Sequence, residues 1–292
     1  MAPAVSNTTS SHYNENSFLS HFGPWALVAG ASDGIGESFA RQLAAKGINV
    51  ALLARREPLL RELAADIEST HGVETRVIVA DLTADDLMER VVDGTRDLEI
   101  GILVYNAGAV HGAKKFHDQP IEHALGLVNL NCRGPILLAH HFGKPMRERG
   151  RGGLLLLSSI AALSGSSYTA SYNATKSFDL ILAESLWHEL GADGVDVMAV
   201  IAGATRTPSM LSSNESFEAY PGIMEPDEVA AGALANIGRG PRWVAGESNR
   251  AAAGGIAALP RVQAINEMSA AAAGLYDLPH TEAKGIDFSE MD

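Results

Sequence analysis

Short apolar runs alternate with longer amphipathic stretches along most of this chain of 292 residues. Six runs are apolar without alternation, which is typical of strands covered on both faces; they lie at 25–29, 49–53, 76–80, 101–105, 153–157 and 196–201. The segments between them predict helices near 35–46, 58–71, 85–96, 119–149 and 170–191, and a seventh strand is predicted at 242–245. Strand–helix alternation with short connections predicts an α/β fold, namely a Rossmann-type doubly wound parallel sheet of about seven strands with helices on both faces.

The two ends of the chain differ from this regular series. Residues 1–22 are rich in Ser, Asn and Thr and show no apolar periodicity, which predicts a flexible N-terminal arm. Nothing divides residues 23–250, so they form one predicted domain. Residues 251–292 predict a C-terminal extension that is Ala- and Gly-rich and helical to about residue 275, with breaks at Gly254–Gly255 and Pro260, followed by a polar tail.

Charge and cysteine content exclude several classes of partner. The chain has 22 Lys and Arg against 35 Asp and Glu, a formal net charge of −13, which argues against nucleic acid and anionic membrane surfaces. The single cysteine, Cys132, cannot form an internal disulfide, which favours a reducing compartment. The sequence contains no signal-peptide pattern and no apolar run of membrane-spanning length. We therefore expect a cytoplasmic protein with no nucleic-acid or membrane partner.

A glycine-rich turn follows the first predicted strand and opens the first predicted helix. Gly30, Gly34 and Gly36 have the spacing G-x-x-x-G-x-G. Glycines at these positions let the backbone turn sharply and let a pyrophosphate approach the helix N-terminus, where free N–H groups and the dipole favour anions. We expect the whole turn to contact a cofactor, through Gly30, Ser32, Asp33, Gly34, Ile35 and Gly36. The alternative is that the glycines only ease helix–sheet packing.

The end of the second predicted strand bears on the choice of dinucleotide. It reads Ala54-Arg55-Arg56, with no carboxylate to hold a ribose 2′-hydroxyl. The guanidinium of Arg55 would instead bind a 2′-phosphate, which favours NADP(H) over NAD(H). Asp33 in the glycine turn counts against this preference, and the alternative is that both arginines are solvated loop residues.

Two further strand ends are expected to contact the cofactor. After the third strand, Asp81 is placed to receive the adenine amino group, with Leu82 beside it; alternatively, Asp81 caps the next helix. After the fourth strand, Asn106, Ala107 and Gly108 put small residues where the chain must pass close to the cofactor ribose. Core packing explains these small residues equally well in isolation.

Candidate catalytic groups converge on the same edge of the predicted sheet. Tyr172 and Lys176 lie one helical turn apart on one face of a predicted helix. Ser159 ends the fifth strand, and open α/β sheets place their ligands at the carboxyl ends of strands. Asn131 lies inside a long predicted helix, where Asn is a poor helix former unless its side chain has another task.

In this order and at these separations, the motifs resemble the short-chain dehydrogenase/reductase family over residues of about 25–245. Within it, the segments at 22–25 and 98–103 are similar to those of the hydroxysteroid dehydrogenase and 3-oxoacyl-CoA reductase branch, which generally prefers NADPH. Three positions depart from the family pattern: Ala29 replaces a usual Thr, Tyr105 a usual second Asn, and Ala202 a usual Pro. None of them is a catalytic group, so the resemblance implies an intact catalytic set.

The resemblance also implies a role for each of these groups. Tyr172 would act as the general acid or base, and Ser159 would hydrogen-bond the carbonyl or alkoxide oxygen. Lys176 would favour the phenolate by its charge and hold the nicotinamide ribose. Asn131 would position a water molecule that returns the proton to the tyrosine. The cofactor site would further include Tyr172 and Lys176 themselves and, after the sixth strand, Gly203, Thr205 and Thr207.

The expected substrate is a small hydrophobic ketone or secondary alcohol, because the predicted walls of the cleft carry few charges. Those walls are Val110, His111, Ile160, Tyr168 and Met210, with a lid over 205–224. We expect no metal, because the histidines lack the spacing of a metal site. The helices at 119–149 and 170–191 resemble those through which the family forms homodimers and homotetramers. The alternatives are a non-catalytic dinucleotide-binding regulatory protein and a nucleotide-sugar epimerase or dehydratase.

Overall fold

A computed structural model of the chain describes residues 12–108, 112–213, 217–218 and 222–283. Its sheet contains seven parallel strands in the order β3-β2-β1-β4-β5-β6-β7. The strands are β1 (Trp25–Ala29), β2 (Asn49–Ala54), β3 (Thr75–Val79), β4 (Ile100–Tyr105), β5 (Gly152–Ser159), β6 (Val195–Ala202) and β7 (Arg242–Val244). The strand order reverses between β1 and β4, which creates the crevice where such sheets bind ligands. The doubly wound fold and its seventh strand are therefore confirmed.

Helices cover both faces of this sheet, which explains why the strands are apolar without alternation. One layer of the core joins α2 to side chains such as Val28 and Leu52, and the other joins α6 and α7 to Leu27 and Leu103. The helices are α1 (Glu15–Phe22), α2 (Gly34–Ala45), α3 (Glu57–His71), α4 (Leu87–Thr95), α5 (Ile121–Val128), α6 (Gly134–Arg149), α7 (Ala170–Gly191), α8 (Pro208–Ser213), α9 (Pro226–Asn236), α10 (Glu247–Ala258) and α11 (Arg261–Leu275). In the part of the chain that the structure describes, no helix has the length and apolarity needed to cross a bilayer.

The N-terminal segment corrects one prediction. The sequence predicts a flexible arm to residue 22, but residues 15–22 form helix α1, and residues 1–11 lie outside the described residues. Phe18 and Phe22, one turn apart on α1, are both buried in the core. Tyr13 ties the segment to the sheet, because its Oη donates a hydrogen bond of 2.5 Å to Asp196 Oδ2. The sequence did not predict this helix because its apolar face consists mainly of these two phenylalanines within an otherwise polar segment.

The long helix predicted at 119–149 is interrupted by a π-helical segment at Asn129–Arg133. The Gly134 amide donates a hydrogen bond to Asn129 O, five residues earlier. The next bond of this spacing would run from residue 135 to Leu130 O, but residue 135 is a proline and has no N–H to donate. Tyr105 Oη supplies the missing donor to Leu130 O at 2.5 Å. The departure at Tyr105 therefore has a structural role in stabilising the segment that carries Asn131. Such π-bulges are frequent at functional sites.

The C-terminal extension is a pair of helices, α10 and α11, joined at Leu259 and Pro260. The break at Pro260 is confirmed, whereas Gly254 and Gly255 lie inside α10 without interrupting it. A backbone amide at residue 167 donates to Ser269 Oγ at 3.0 Å, which fixes α11 beside the loop before α7. The extension thereby reaches the carboxyl edge of the sheet. Of the predicted tail, residues 284–292 lie outside the described residues.

Candidate active site

The glycine turn lies at the carboxyl end of β1, at the reversal of strand order. Gly30 and Gly34 have φ of +84° and +56°, which favour glycine. A Cβ on Gly30 would lie 2.9 Å from the backbone of Ala107, and one on Gly36 would overlap the carbonyl oxygen of Gly30. Asn106 closes the turn, because its Nδ2 donates to Gly30 O at 3.1 Å. The close packing explains the motif, and it also leaves the N-terminus of α2 open to the cleft.

The outer end of the turn carries a charged cluster. Arg56 Nη2 donates to Ser32 Oγ at 2.7 Å and to Asp33 Oδ2 at 2.6 Å. Arg55, by contrast, is largely exposed, and its Nη1 lies 3.8 Å from Asp81 Oδ2. The structure therefore places Arg56 directly on the glycine turn, with Arg55 alongside, although the sequence analysis singled out Arg55 alone.

The loop after β3 completes this end of the site. Asp81 Oδ1 accepts hydrogen bonds from the amide and the hydroxyl of Thr83, at 2.9 and 2.7 Å. Partial burial acts to raise the pKa of Asp81, but these hydrogen bonds and the charge of Arg55 outweigh it, and the pKa is lowered. Leu82 is buried beneath the loop. The carboxylate is thus ionised and holds the loop in shape.

Lys176 lies at the centre of the site on α7, with its side chain fully buried. Its Nζ donates to Leu157 O at 2.7 Å and to Asp179 Oδ2 at 3.0 Å. Burial acts to lower the pKa of Lys176, but the charges of Asp179 and Tyr172 outweigh it, and the pKa is raised. Burial raises the pKa of the Asp179 carboxyl to about 6 although Lys176 opposes the shift. The lysine is therefore held as an ammonium by a buried carboxylate.

Asn131 faces the lysine from the π-helical segment. Its Nδ2 donates to Thr175 Oγ1 at 2.9 Å, while its buried Oδ1 has no hydrogen-bond partner among the described residues. A Cβ built on Gly108 would lie 2.9 Å from Lys176 Nζ and 3.5 Å from Asn131 Oδ1. Gly108 therefore leaves room at the point where the two polar groups converge. An unpaired buried oxygen there is suited to bind water.

Two cavities meet at Tyr172 and Ser159. A cleft of about 190 Å³ extends from the glycine turn to the Tyr172–Lys176 pair and is lined by ten predicted cofactor residues: Asp33, Gly34, Ile35, Asn106, Gly108, Tyr172, Lys176, Gly203, Thr205 and Thr207. A second cavity, of about 510 Å³ and mostly apolar, adjoins it; we call it the apolar cavity. Ser159 Oγ accepts a hydrogen bond of 3.2 Å from the Ala161 amide, so its own hydrogen is available to a ligand.

Comparison with known proteins agrees with this geometry. The family model described as short chain dehydrogenase matches residues 24–218. The chain belongs to the short-chain dehydrogenase family.

Individual members of the family differ in activity. A 7beta-hydroxysteroid dehydrogenase of Collinsella aerofaciens is 33% identical over 233 residues, covering 78% of this chain and 88% of that protein. The solved structure of a short-chain dehydrogenase from Sphingobium yanoikuyae in complex with NADPH superposes with a TM-score of 0.71 at 29% identity, covering 91% of this chain and 99% of the other. A human protein named inactive hydroxysteroid dehydrogenase-like protein 1 is 31% identical over 198 residues, covering 67% of this chain and 60% of that protein.

Not every predicted substrate residue lies in the apolar cavity. Ile160 and Met210 line it, whereas Val110 and His111 lie outside the described residues. Tyr168, with φ of +69°, lines a separate small cavity, and its Oη donates to the carbonyl oxygen of Pro279. The predicted lid at 205–224 is described only in part. Within the described part of the chain, no cluster of His, Cys, Asp and Glu side chains is placed to hold a metal ion.

Several residues of the candidate site are not predicted by the sequence. Tyr276, which follows α11, lines both cavities and packs edge-on against Phe217, with 5.6 Å between ring centroids. Burial, with a contribution from the charge of Tyr172, raises the pKa of Tyr276 to about 12. Asn249 of α10 lines the apolar cavity, and its Nδ2 donates to Ala245 O at 2.7 Å. No local pattern marks Tyr276 or Asn249; Asp179 could have been found as an acid three residues after Lys176.

Proposed function

We propose that this chain is an NADP(H)-dependent oxidoreductase that interconverts a hydrophobic ketone and its secondary alcohol, with Tyr172 as general acid or base. The observation that carries this proposal is the position of Tyr172. Its side chain stands where the cleft from the glycine turn opens into the apolar cavity, together with Ser159. A hydride donor in the first cavity and a carbonyl in the second would therefore meet beside a phenol.

The first cavity has the features that a nicotinamide dinucleotide needs. Asp33 at the N-cap of α2 makes no side-chain capping bond, so the first-turn amides are available to a pyrophosphate. Gly34 packs closely on Thr207, since a Cβ there would lie 2.8 Å from Thr207 Cγ2. When bound, the dinucleotide would donate or accept the hydride. The chain's own groups orient the reactants and move the proton.

Four side chains have distinct tasks in this proposal. In ketone reduction, the phenol of Tyr172 donates its proton to the oxygen that develops negative charge, and the hydroxyl of Ser159 donates a hydrogen bond to the same oxygen. Lys176 has three N–H donors, of which Leu157 O and Asp179 occupy two, so one remains for a ribose hydroxyl. Asn131 Oδ1 would hold a water molecule that restores the proton.

The preference for NADP(H) rests on the two arginines after β2. Arg56 already forms an ion pair with Asp33. The negative charge of this carboxylate is thereby offset, so it would repel a 2′-phosphate less. The exposed guanidinium of Arg55 lies on the same side, near Asp81. Together they would offer a 2′-phosphate charge-assisted hydrogen bonds from two guanidinium groups.

The second candidate function is that of a non-catalytic, dinucleotide-binding regulatory protein. It is supported by the similarity to the human protein that is named inactive. Tyr172 and Lys176 are both present here, and they line the same cleft, which favours the enzyme.

We also propose a homodimer or homotetramer, because α5, α6 and α7 expose large apolar side chains, namely Ile121, Leu125, Ile136 and Ile181.

The test is consumption of NADPH and of NADH, followed by absorbance, with a panel of steroid, aryl and aliphatic ketones. We expect turnover with NADPH, and a loss of kcat of about 100-fold or more in Tyr172→Phe with NADPH binding retained by fluorescence titration. Equal loss of turnover and binding would make Tyr172 a structural residue. NADPH binding without turnover of any ketone would favour the regulatory protein.

A further inference from the structure

Tyr276 brings a second phenol, from the C-terminal extension, to the junction of the two cavities. It lines both of them, as Ser159 and Tyr172 do. The charge of Tyr172 contributes to the raised pKa of Tyr276, so the two phenols lie within electrostatic range of each other. A third hydroxyl group is therefore close to the place where the proposed function puts the reacting carbonyl.

Contacts on two sides hold this phenol in position. Tyr276 is the C-cap of α11, and its ring packs edge-on against Phe217, which is fully buried. Three residues further along, the carbonyl oxygen of Pro279 accepts a hydrogen bond from Tyr168 Oη, in the loop before α7. The ring of Tyr276 is thereby fixed relative to the helix that carries the catalytic pair before any substrate binds.

The hydroxyl of Tyr276 has no partner within the protein. In the ranges that the structure describes, its Oη makes no hydrogen bond, whereas the Oη atoms of Tyr13, Tyr105 and Tyr168 each make one. Burial raises the pKa of Tyr276 to about 12, so the hydroxyl stays protonated at neutral pH and is a hydrogen-bond donor. A half-buried donor of this kind costs free energy unless a ligand or water accepts from it. The group is therefore suited to bind a ligand.

The reacting oxygen does not need this third donor. A carbonyl oxygen has two lone pairs, and in the proposed function Tyr172 and Ser159 donate to both of them. The hydroxyl of Tyr276 is then left for a different acceptor. Because Tyr276 shares the junction with Tyr172 and Ser159, that acceptor has to lie close to the reacting carbon.

We propose that Tyr276 is a specificity-determining residue whose hydroxyl donates a hydrogen bond to a second substrate oxygen, on the carbon next to the reacting carbonyl. This inference rests on the proposed function and narrows its substrate class to ketones with an adjacent hydroxyl, ether or carbonyl oxygen, and to the corresponding alcohols. Such an oxygen loses its water partners when it enters a mostly apolar cavity. The hydrogen bond from Tyr276 offsets that loss.

The test uses two aryl ketones of matched shape. One carries a methoxy group on the carbon next to the carbonyl and the other an ethyl group, so they differ by one hydrogen-bond acceptor. KM and kcat are measured with NADPH for the wild type, Tyr276→Phe and Tyr13→Phe. The last variant is the matched control, because it removes a phenol hydroxyl that binds Asp196 at the other end of β6. Thermal stabilisation of the NADPH complex by each ketone reports binding without turnover.

In the wild type we expect a lower KM for the methoxy ketone than for the ethyl ketone. Tyr276→Phe should raise the KM of the methoxy ketone relative to that of the ethyl ketone by about five- to tenfold, which is the effect of one hydrogen bond. Tyr13→Phe should keep the wild-type ratio. The effect of the oxygen on the intrinsic reactivity of the ketone cancels, because the ratio is compared between variants.

A wild-type ratio in Tyr276→Phe would overturn the inference. An equal rise in KM for both ketones would also overturn it, because the hydroxyl would then serve the cofactor or the fold instead of a second oxygen. Equal KM and equal stabilisation for the two ketones in the wild type would have the same consequence. Preferential stabilisation by the methoxy ketone that is lost in Tyr276→Phe, without NADPH consumption in any variant, would refute the proposed function alone.

Discussion

The buried pair of Lys176 and Asp179 gives a prediction whose size follows from the structure. Both side chains are almost fully excluded from water, at 4% and 1% exposure, and Asp179 Oδ1 has no partner among the described residues. Asp179→Leu would leave the ammonium buried without its counter-charge, which costs about 3–5 kcal/mol. The double variant Lys176→Met with Asp179→Leu removes both charges, and such replacements are typically neutral or stabilising. We therefore expect the single variant to be the less stable of the two.

The pair should also make stability depend on pH. Burial raises the folded-state pKa of Asp179 to about 6, above its ordinary value of 3.8. A raised carboxyl pKa means that folding favours the protonated form of Asp179. Its contribution to the unfolding free energy is therefore fully present below a pH of about 4 and is lost as the pH rises through about 6. A shift of two pKa units corresponds to about 3 kcal/mol in total, of which about 1 kcal/mol falls between pH 5 and pH 7.5.

The assay is denaturant unfolding of the wild type, the single variant and the double variant at several pH values between 5 and 7.5. The double variant is the reference because it titrates at neither position. Relative to it, the wild type should lose about 1 kcal/mol of unfolding free energy across this range. A flat difference, or a single variant as stable as the double one, would refute the account of the pair as two mutually dependent buried charges.

Three other predictions follow from single contacts. Arg56→Ala should raise the KM for NADPH at least tenfold more than the KM for NADH. Its effect on the KM for NADPH should also exceed that of Arg55→Ala, because Arg56→Ala leaves Asp33 unpaired beside the expected phosphate. Equal effects on both cofactors would contradict this prediction. Phe22→Ala should lower the unfolding free energy by about 3–5 kcal/mol, measured by denaturation, and an unchanged midpoint would mean that α1 is not docked in solution. Tyr105→Phe should lower the unfolding free energy by about 1–3 kcal/mol, because a partly buried carbonyl of the π-helical segment loses its donor; a neutral effect would show that water replaces the phenol.

Part of the site was predictable because its signals are local. The glycine turn is encoded by spacing within seven residues, and Tyr172 and Lys176 by one helical turn. Each of these patterns needs only the backbone geometry of its own element. Arg55 and Arg56 show where local reasoning stops: the sequence places both at the end of β2, and only the packed turn shows that Arg56 is the one paired to Asp33.

The sequence by itself determined the strands, their parallel arrangement and the edge of the sheet that carries the candidate site, because continuous apolarity and strand–helix alternation allow few other packings. Only the tertiary structure decided what surrounds the reactive groups. Tyr276 is separated from Tyr172 by about a hundred residues and still lines the same cleft, and α1 docks on the sheet through two phenylalanines in a polar segment. Burial and charge pairing, such as that of Asp179 with Lys176, are properties of residues brought together in space. Periodicity along the chain cannot encode them, since it describes each element before its neighbours are known.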